Sequence, residues 1–218
     1  MARRTWYIYG CGGLGLETLD VLFDSIEFNS AEKWDVQFLI DSKSNERKVA
    51  GIDVITPSEV RENSIFTVAV GEPIDRKRMF ENGVRFGLCP SSITSKRAFI
   101  SPTASIGPGC VIAPFTSIQS NVVIGANVSV NTQAIVGHHS KLLSGVVLSS
   151  QVNVGGNSTI GAHSYIGMGS NIKEGTEIGA WSIVGMGSVV YKDVRDNAIA
   201  IGNPARVVKN NDRKRVFS

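Results

Sequence analysis

The 218-residue chain has only three cysteines, Cys11, Cys89 and Cys110, and they are widely spaced. Their odd number and wide spacing argue against a disulfide framework or a zinc site and point to a reducing compartment. No cluster of metal-ligand residues is visible, so no metal is expected. No run approaches the ~18 apolar residues that a membrane helix needs. The apolar stretch near the N-terminus is too short for the core of a signal peptide and leads at once into glycine-rich sequence. Charge of one sign is scarce too: 22 Lys and Arg against 19 Asp and Glu leave a net +3. That excess is too small to argue for nucleic acid. It is also partly local to Lys209, Arg213, Lys214 and Arg215, a basic tail that reads as a solvated end. With 42% hydrophobic and 19% charged residues, the chain has enough apolar material for a core. The expectation is a soluble cytoplasmic protein, of one domain or two small ones, that does not bind a membrane.

What is present is a repeat. Stepping by six from Ile100 reaches Ile106, Ile112, Ile118 and so on to Val190, and every position in that column is Ile, Leu or Val. A second column two residues earlier, from Ala98 to Ser188, holds only small or β-branched residues, with Cys110, Val128, Ser164 and Ser182 among them. Glycine often follows the aliphatic position, as at Gly107, Gly125, Gly137 and Gly161. A period of six is neither helical nor simple strand alternation. It predicts a prism of parallel β-structure in which each hexad supplies one short strand and one corner. Three hexads make a coil, and coils stack about 4.8 Å apart.

The first ninety residues read differently. Thr5 to Tyr9 is a short apolar strand, followed by Gly10-Cys11-Gly12-Gly13-Leu14-Gly15 and a helical pattern with Leu16, Leu19, Val21 and Leu22. Strand, G-x-G-x-x-G and helix together form an anion-capturing turn. A second strand, Val36 to Ile40, ends at Asp41, and a third, Phe66 to Val70, ends at Gly71. Asp75 to Glu81 reads as a helix, and Phe86 to Leu88 as a short strand before a junction at Pro90. Two ligands compete for the glycine turn: a nicotinamide dinucleotide and a nucleotide-linked sugar. Only about 90 residues precede the repeat, room for one βαβαβ half rather than the two that a dinucleotide occupies, which favours the nucleotide-linked sugar.

Taken together, a small Rossmann-like domain and a run of hexads resemble the hexapeptide-repeat sugar O-/N-acyltransferases, the sialic acid O-acetyltransferase and UDP-4-amino-sugar N-acetyltransferase group. The resemblance rests on Tyr7-Ile8-Tyr9-Gly10, Phe38-Leu39-Ile40-Asp41, Val68-Ala69-Val70-Gly71, Arg76-Lys77-Arg78, the hexads and the closing Gly202-Asn203-Pro204-Ala205-Arg206. It implies a left-handed parallel β-helix over residues 93–208, a Rossmann-like nucleotide-sugar domain over 1–92 and a basic tail over 209–218. It also implies a homotrimer, with acetyl-CoA as acyl donor.

The same resemblance assigns residues. Gly10, Gly12, Gly13, Gly15, Asp41 and Gly71 become nucleotide contacts. Asn131 begins the segment Asn131-Thr132-Gln133-Ala134-Ile135-Val136-Gly137-His138-His139, which matches the region around the family's base, so Asn131 falls to the substrate and His138 to the base, with His139 beside it. A neutral imidazole suits removal of a proton from an attacking amine or hydroxyl. Gly156 falls where backbone meets the pantetheine arm, and Met168 and Met186 along the cofactor groove. By charge alone, Lys192 and Arg206 near the C-terminal end are expected to meet the CoA phosphates. Three departures mark the chain. Leu14 stands where the family often has histidine, His139 where it usually has a carboxylate, and Gln151 where a second histidine is common. The missing carboxylate motivates an alternative, a non-catalytic trimer that binds sugar nucleotide or acts as a scaffold. His163, near a turn, reads as structural or as a solvent-facing side chain.

Overall fold

The computed structural model describes residues 4–25, 28, 34–41 and 47–217. The first three residues of the N-terminal run and the last residue of the tail lie outside them. The N-terminal elements are β1 (Arg4–Tyr9), α1 (Gly13–Phe23), β2 (Trp34–Leu39), β3 (Lys48–Val49), β4 (Ile52–Ile55), β5 (Ile65–Val68), α2 (Pro73–Arg85) and β6 (Cys89–Pro90). They form a six-stranded sheet in the order β3-β4-β2-β1-β5-β6. All neighbours are parallel except the β3–β4 pair. β1 is central and buried on both faces by Trp6, Tyr7, Ile8 and Tyr9, as its continuous apolar run requires. The expected strand at Phe86–Leu88 is not formed. Phe86 caps α2, and Gly87 turns the chain with φ +77° before β6 pairs with β5.

From Ile93 onward the chain winds through two-residue strands, closed by a longer antiparallel pair, Ala198–Gly202 and Ala205–Asn210, and these stack into sheets of eight, six and five strands, three faces of one prism. This is a parallel β-helix of the left-handed kind expected. The aliphatic column points inward and is almost wholly buried, and the small column lies beside it, with Val128, Ser164 and Ser182 at 0% exposure. A Cβ on Gly161 would stand 2.4 Å from the Ala180 amide nitrogen of the next coil, so that corner admits nothing larger than glycine.

Every sixth residue from Gly109 to Gly187 has positive φ. Phe115, His139 and Trp181 hold that conformation alongside the more tolerant asparagines and glycines. Coil-to-coil hydrogen bonds hold these corners from Phe115 onward, such as His139 N–H to the Ser120 carbonyl at 2.9 Å.

The three faces differ outside. The first presents Ile93, Val111, Ser129 and Val147, all buried. The second exposes Phe99 and Ile135, and the third carries exposed Ser105, Lys141 and Glu177. The first face and the N-terminal sheet share one core, with Trp6, Leu19, Ile93 and Val111 in a single cluster. Arg76 pins the two parts together. Its buried guanidinium donates to the carbonyls of Val68, Val70 and Asn127 at 3.0, 3.1 and 2.8 Å.

The basic tail is exposed from Asp212 to Arg215 but anchored to the fold. The carboxylate of Glu72 accepts the Val216 and Phe217 amides, both at 3.0 Å. Arg215 reaches Asp75, Lys214 lies over the Trp181 ring, and Phe217 packs edge-on against Tyr165. Two uncapped amides at the chain's end meet a carboxylate at the start of α2. Charge counting along the sequence does not register that pairing.

Candidate active site

The glycine turn closes the C-terminal end of β1. Gly10 has φ +116°, and a Cβ there would meet the Ala69 carbonyl oxygen at 2.8 Å; on Gly15 it would meet the Gly10 oxygen at 2.3 Å. These two glycines therefore serve the close packing of strand and helix. Around Gly12 and Gly13 the space is open. α1 has no side-chain cap and no acid in its first turn, so its first amides face outward with the positive end of the helix dipole. Asp41, at the end of β2, accepts hydrogen bonds from the Tyr9 hydroxyl and from Arg78, the latter at 2.5 Å. Burial, and then this carboxylate, push the Tyr9 phenol upward, so it stays a donor. Gly71 follows β5 and lies against Leu14 and Phe217. The structure thus brings Gly10 to Gly15, Asp41 and Gly71 to one edge of the sheet.

Beside that edge, between α1 and the solenoid, runs a groove of about 200 Å³. Leu14, Thr18 and Arg97 line it with Asn131 and Thr132. Asn131 accepts a hydrogen bond from the Ser129 hydroxyl at 3.1 Å.

His138 belongs to neither place. It projects from the edge between the second and third faces, exposed, in a stack with Ser120 one coil before and Gly156 one coil after. A Cβ on Gly156 would lie 2.7 Å from both Cε1 and Nε2 of His138, so the imidazole rests directly on the glycine Cα. The His138 amide donates to the Gln119 side chain at 3.2 Å. The two histidine rings stand at 84°, with Nδ1 to Nδ1 at 3.1 Å, and His139 Nε2 lies 3.0 Å from the Asn121 amide. Among the described residues neither ring is paired with a carboxylate.

Met168 and Met186 are exposed at 56% and 80%, but on the edge between the first and second faces. Within one chain they do not share a groove with Gly156. Lys192 and Arg206 line a common cavity of about 250 Å³ at the C-terminal end of the solenoid. His163 occupies the remaining edge and stacks on Trp181 at 4.4 Å. Its Nδ1 is buried without a partner, and burial lowers its pKa.

Sequence reasoning missed Asn121 and Gln119. Asn121 is 18 residues before His139, one full coil, and stepping back by that interval would have found it. Among the described residues no helix is long and apolar enough to cross a membrane, and no group of three or more His, Cys, Asp or Glu is placed to hold a metal ion.

Residues 157–192 match the bacterial transferase hexapeptide (six repeats) family. The chain is 30% identical over 172 residues to a GDP-perosamine N-acetyltransferase of Escherichia coli O157:H7, covering 77% of each chain. The acetyltransferase domain of PglB from Neisseria gonorrhoeae, solved with acetyl coenzyme A, superposes with a TM-score of 0.85 at 28% identity, over 95% of this chain and all of that one. A perosamine N-acetyltransferase variant from Caulobacter crescentus, solved with CoA and GDP-perosamine, shares the fold at a TM-score of 0.85 and 24% identity, over 96% and 99% of the two chains. With its hexads, its glycine turn and a curated relative at this identity and coverage, the chain belongs to the hexapeptide-repeat family of sugar N-acyltransferases.

Proposed function

We propose that this protein transfers an acetyl group from acetyl-CoA to an amino group of a nucleotide-linked sugar, with His138 as general base. The observation that carries the reading is the imidazole of His138 lying on the bare Cα of Gly156 along an exposed solenoid edge. At Gly156 an extended thioester arm passes bare backbone, and one coil further on it passes the exposed Glu174. From His138 to Lys192 along that edge is three coils, about 14 Å at the spacing of neighbouring strands. Lys192 and Arg206 then stand where CoA phosphates would end.

The proposed division of labour follows the two parts of the chain. Residues 1–92 hold the nucleotide, with Gly12, Gly13 and the α1 amides on phosphate and Asp41 and Gly71 beside them. Residues 93–208 carry acyl transfer. As the sugar amine attacks the thioester carbonyl, its proton passes to Nε2 of His138 and a C–N bond forms. Collapse of the adduct breaks the C–S bond, and the imidazolium returns the proton to the departing thiolate.

Within one chain His138 is remote from the glycine turn, and Met168 and Met186 lie on a different edge from Gly156. A second solenoid alongside the first would bring such edges together. Exposed Phe99 and Ile135 on the second face supply apolar contact for it. We therefore propose a homotrimer acting in the cytoplasm, where acetyl-CoA is available. The exchange of a carboxylate for His139 favours a second reading, a trimer that binds sugar nucleotide without turning it over.

A thiol-release assay with acetyl-CoA and a panel of GDP-, UDP- and dTDP-linked amino sugars separates the two. Release dependent on one amino sugar supports the enzyme. Binding of sugar nucleotide with neither CoA binding nor release leaves the scaffold.

A further inference from the structure

We infer that Asn121 is a positioning residue that, acting through His139, selects which nitrogen of His138 carries the proton. The inference rests on the reading of His138 as the base. The two Nδ1 atoms are 3.1 Å apart. Two ring nitrogens bond to each other only when one carries hydrogen and the other is bare. The neutral pair therefore has two arrangements, and the far end of the chain decides between them. That end is Asn121, 3.0 Å from His139 Nε2.

A primary amide presents a donor on one side and an acceptor on the other. With the NH2 side toward His139, as in the structure, Nε2 of His139 accepts. Its Nδ1–H then donates to Nδ1 of His138, and His138 carries its proton on Nε2. That is the nitrogen over Gly156, and a protonated nitrogen takes no proton from an amine. With the amide turned over, His139 Nε2–H donates to the carbonyl oxygen. His139 Nδ1 is then bare and accepts from Nδ1–H of His138, and Nε2 of His138 is free. The acceptor face of Asn121 arms the base and the donor face disarms it.

The rest of the edge leaves this control to Asn121. The backbone amides of His138 and His139 are held by Gln119 and Ser120, not by a group that touches either ring. The acid on the same edge, Glu174, stands two coils beyond His138 and meets Asn157.

Substitution separates the two faces of the amide. Asn121→Asp leaves only acceptors and tolerates the same left-handed backbone, φ +60°. Asn121→Gly removes the partner at no backbone cost. The readout is ¹⁵N NMR of the imidazoles, in which bare and protonated ring nitrogens differ widely. With only three histidines in the chain, and His163 on another edge as internal reference, the signals are assignable.

Asn121→Asp is expected to move His138 to the form with bare Nε2 and to raise kcat about tenfold with KM unchanged, a charge-assisted hydrogen bond being roughly twice as strong as a neutral one. Asn121→Gly is expected to redistribute the signals of both rings. Unchanged ring signals in both variants would overturn the proposal, whatever the activity. A shift in tautomer with no thiol release in any form would uphold the relay and count against the enzymatic reading instead.

Discussion

Replacing Gly156 by alanine tests whether His138 works where the structure holds it. The added Cβ would stand 2.7 Å from Cε1 and Nε2 of the imidazole and 3.1 Å from Cδ2. Ordinary carbon contacts lie at about 3.5–4.0 Å, so the ring must retreat by about 1 Å. His138 is an exposed side chain and can retreat. Gly156 itself is buried, but only a mobile side chain has to give, so the fold should lose about 0.5 kcal/mol. The reaction has no such freedom: a misplacement of about 1 Å costs on the order of 10²-fold, about 2.7 kcal/mol in the barrier. Gly137→Ala is the counterpart. There the added Cβ would meet backbone, the Gly156 nitrogen at 2.5 Å and the Gly155 carbonyl carbon at 2.8 Å. Neither can swing away, and overpacking of that kind costs about 1–3 kcal/mol of stability. The assay is thiol release with a nucleotide-linked amino sugar, beside thermal melts of both variants. The expected result is a Gly137→Ala that melts at a lower temperature, and a Gly156→Ala that melts as the parent does but is crippled in rate. A stable Gly156→Ala with the wild-type kcat/KM would refute the reasoning, because the imidazole's seat on that glycine would then have no part in catalysis.

Three other outcomes are expected. Arg76→Met leaves the Val68, Val70 and Asn127 carbonyls without their buried donor and should cost about 1–3 kcal/mol, read by urea denaturation. Removal of residues 213–218 strips Glu72 of two amide donors; at about 1.5–3 kcal/mol for bonds to a charged group, and about 2–4 °C per kcal/mol at this chain length, the melting temperature should fall clearly. Burial holds the pKa of His163 below its ordinary 6.5, with Lys77 and Lys214 adding to the effect. The unfolded chain therefore binds more protons than the folded one below that pH. Stability should decline as pH falls through 6.5 and level off below the depressed folded value, and His163→Phe should flatten that slope in melts across the range.

The solenoid was legible because its physics repeats. Each inward aliphatic meets the same environment one coil later, so Ile112, Val130, Leu148 and Ile166 form one buried line that a fixed step detects. The glycine turn was legible for a similar reason: backbone contact at Gly10 and Gly15 restricts residue type. The left-handed corners were not. Phe115 and Trp181 occupy positions that propensity assigns to glycine or asparagine, because stacking on the neighbouring coil outweighs the local cost. The Glu72 clasp on the tail joins residues 144 and 145 apart, with no pattern linking them. In the same way, His138 was placed by resemblance, while its chain to Asn121 became visible only when one coil was laid on the next. The short strand expected at Phe86–Leu88 failed because α2 runs on to Arg85 and needs those residues to end it.

The central claim is that this chain moves an acyl group from CoA with His138 as base. Its most direct test is the initial rate of thiol release from acetyl-CoA by the intact protein and by His138→Ala, at saturating nucleotide-linked amino sugar, with CoA binding to both measured by calorimetry. The account predicts equal CoA binding and a rate lower by about 10²–10⁴-fold in the variant. Equal rates in the two proteins, with CoA bound to both, would contradict it.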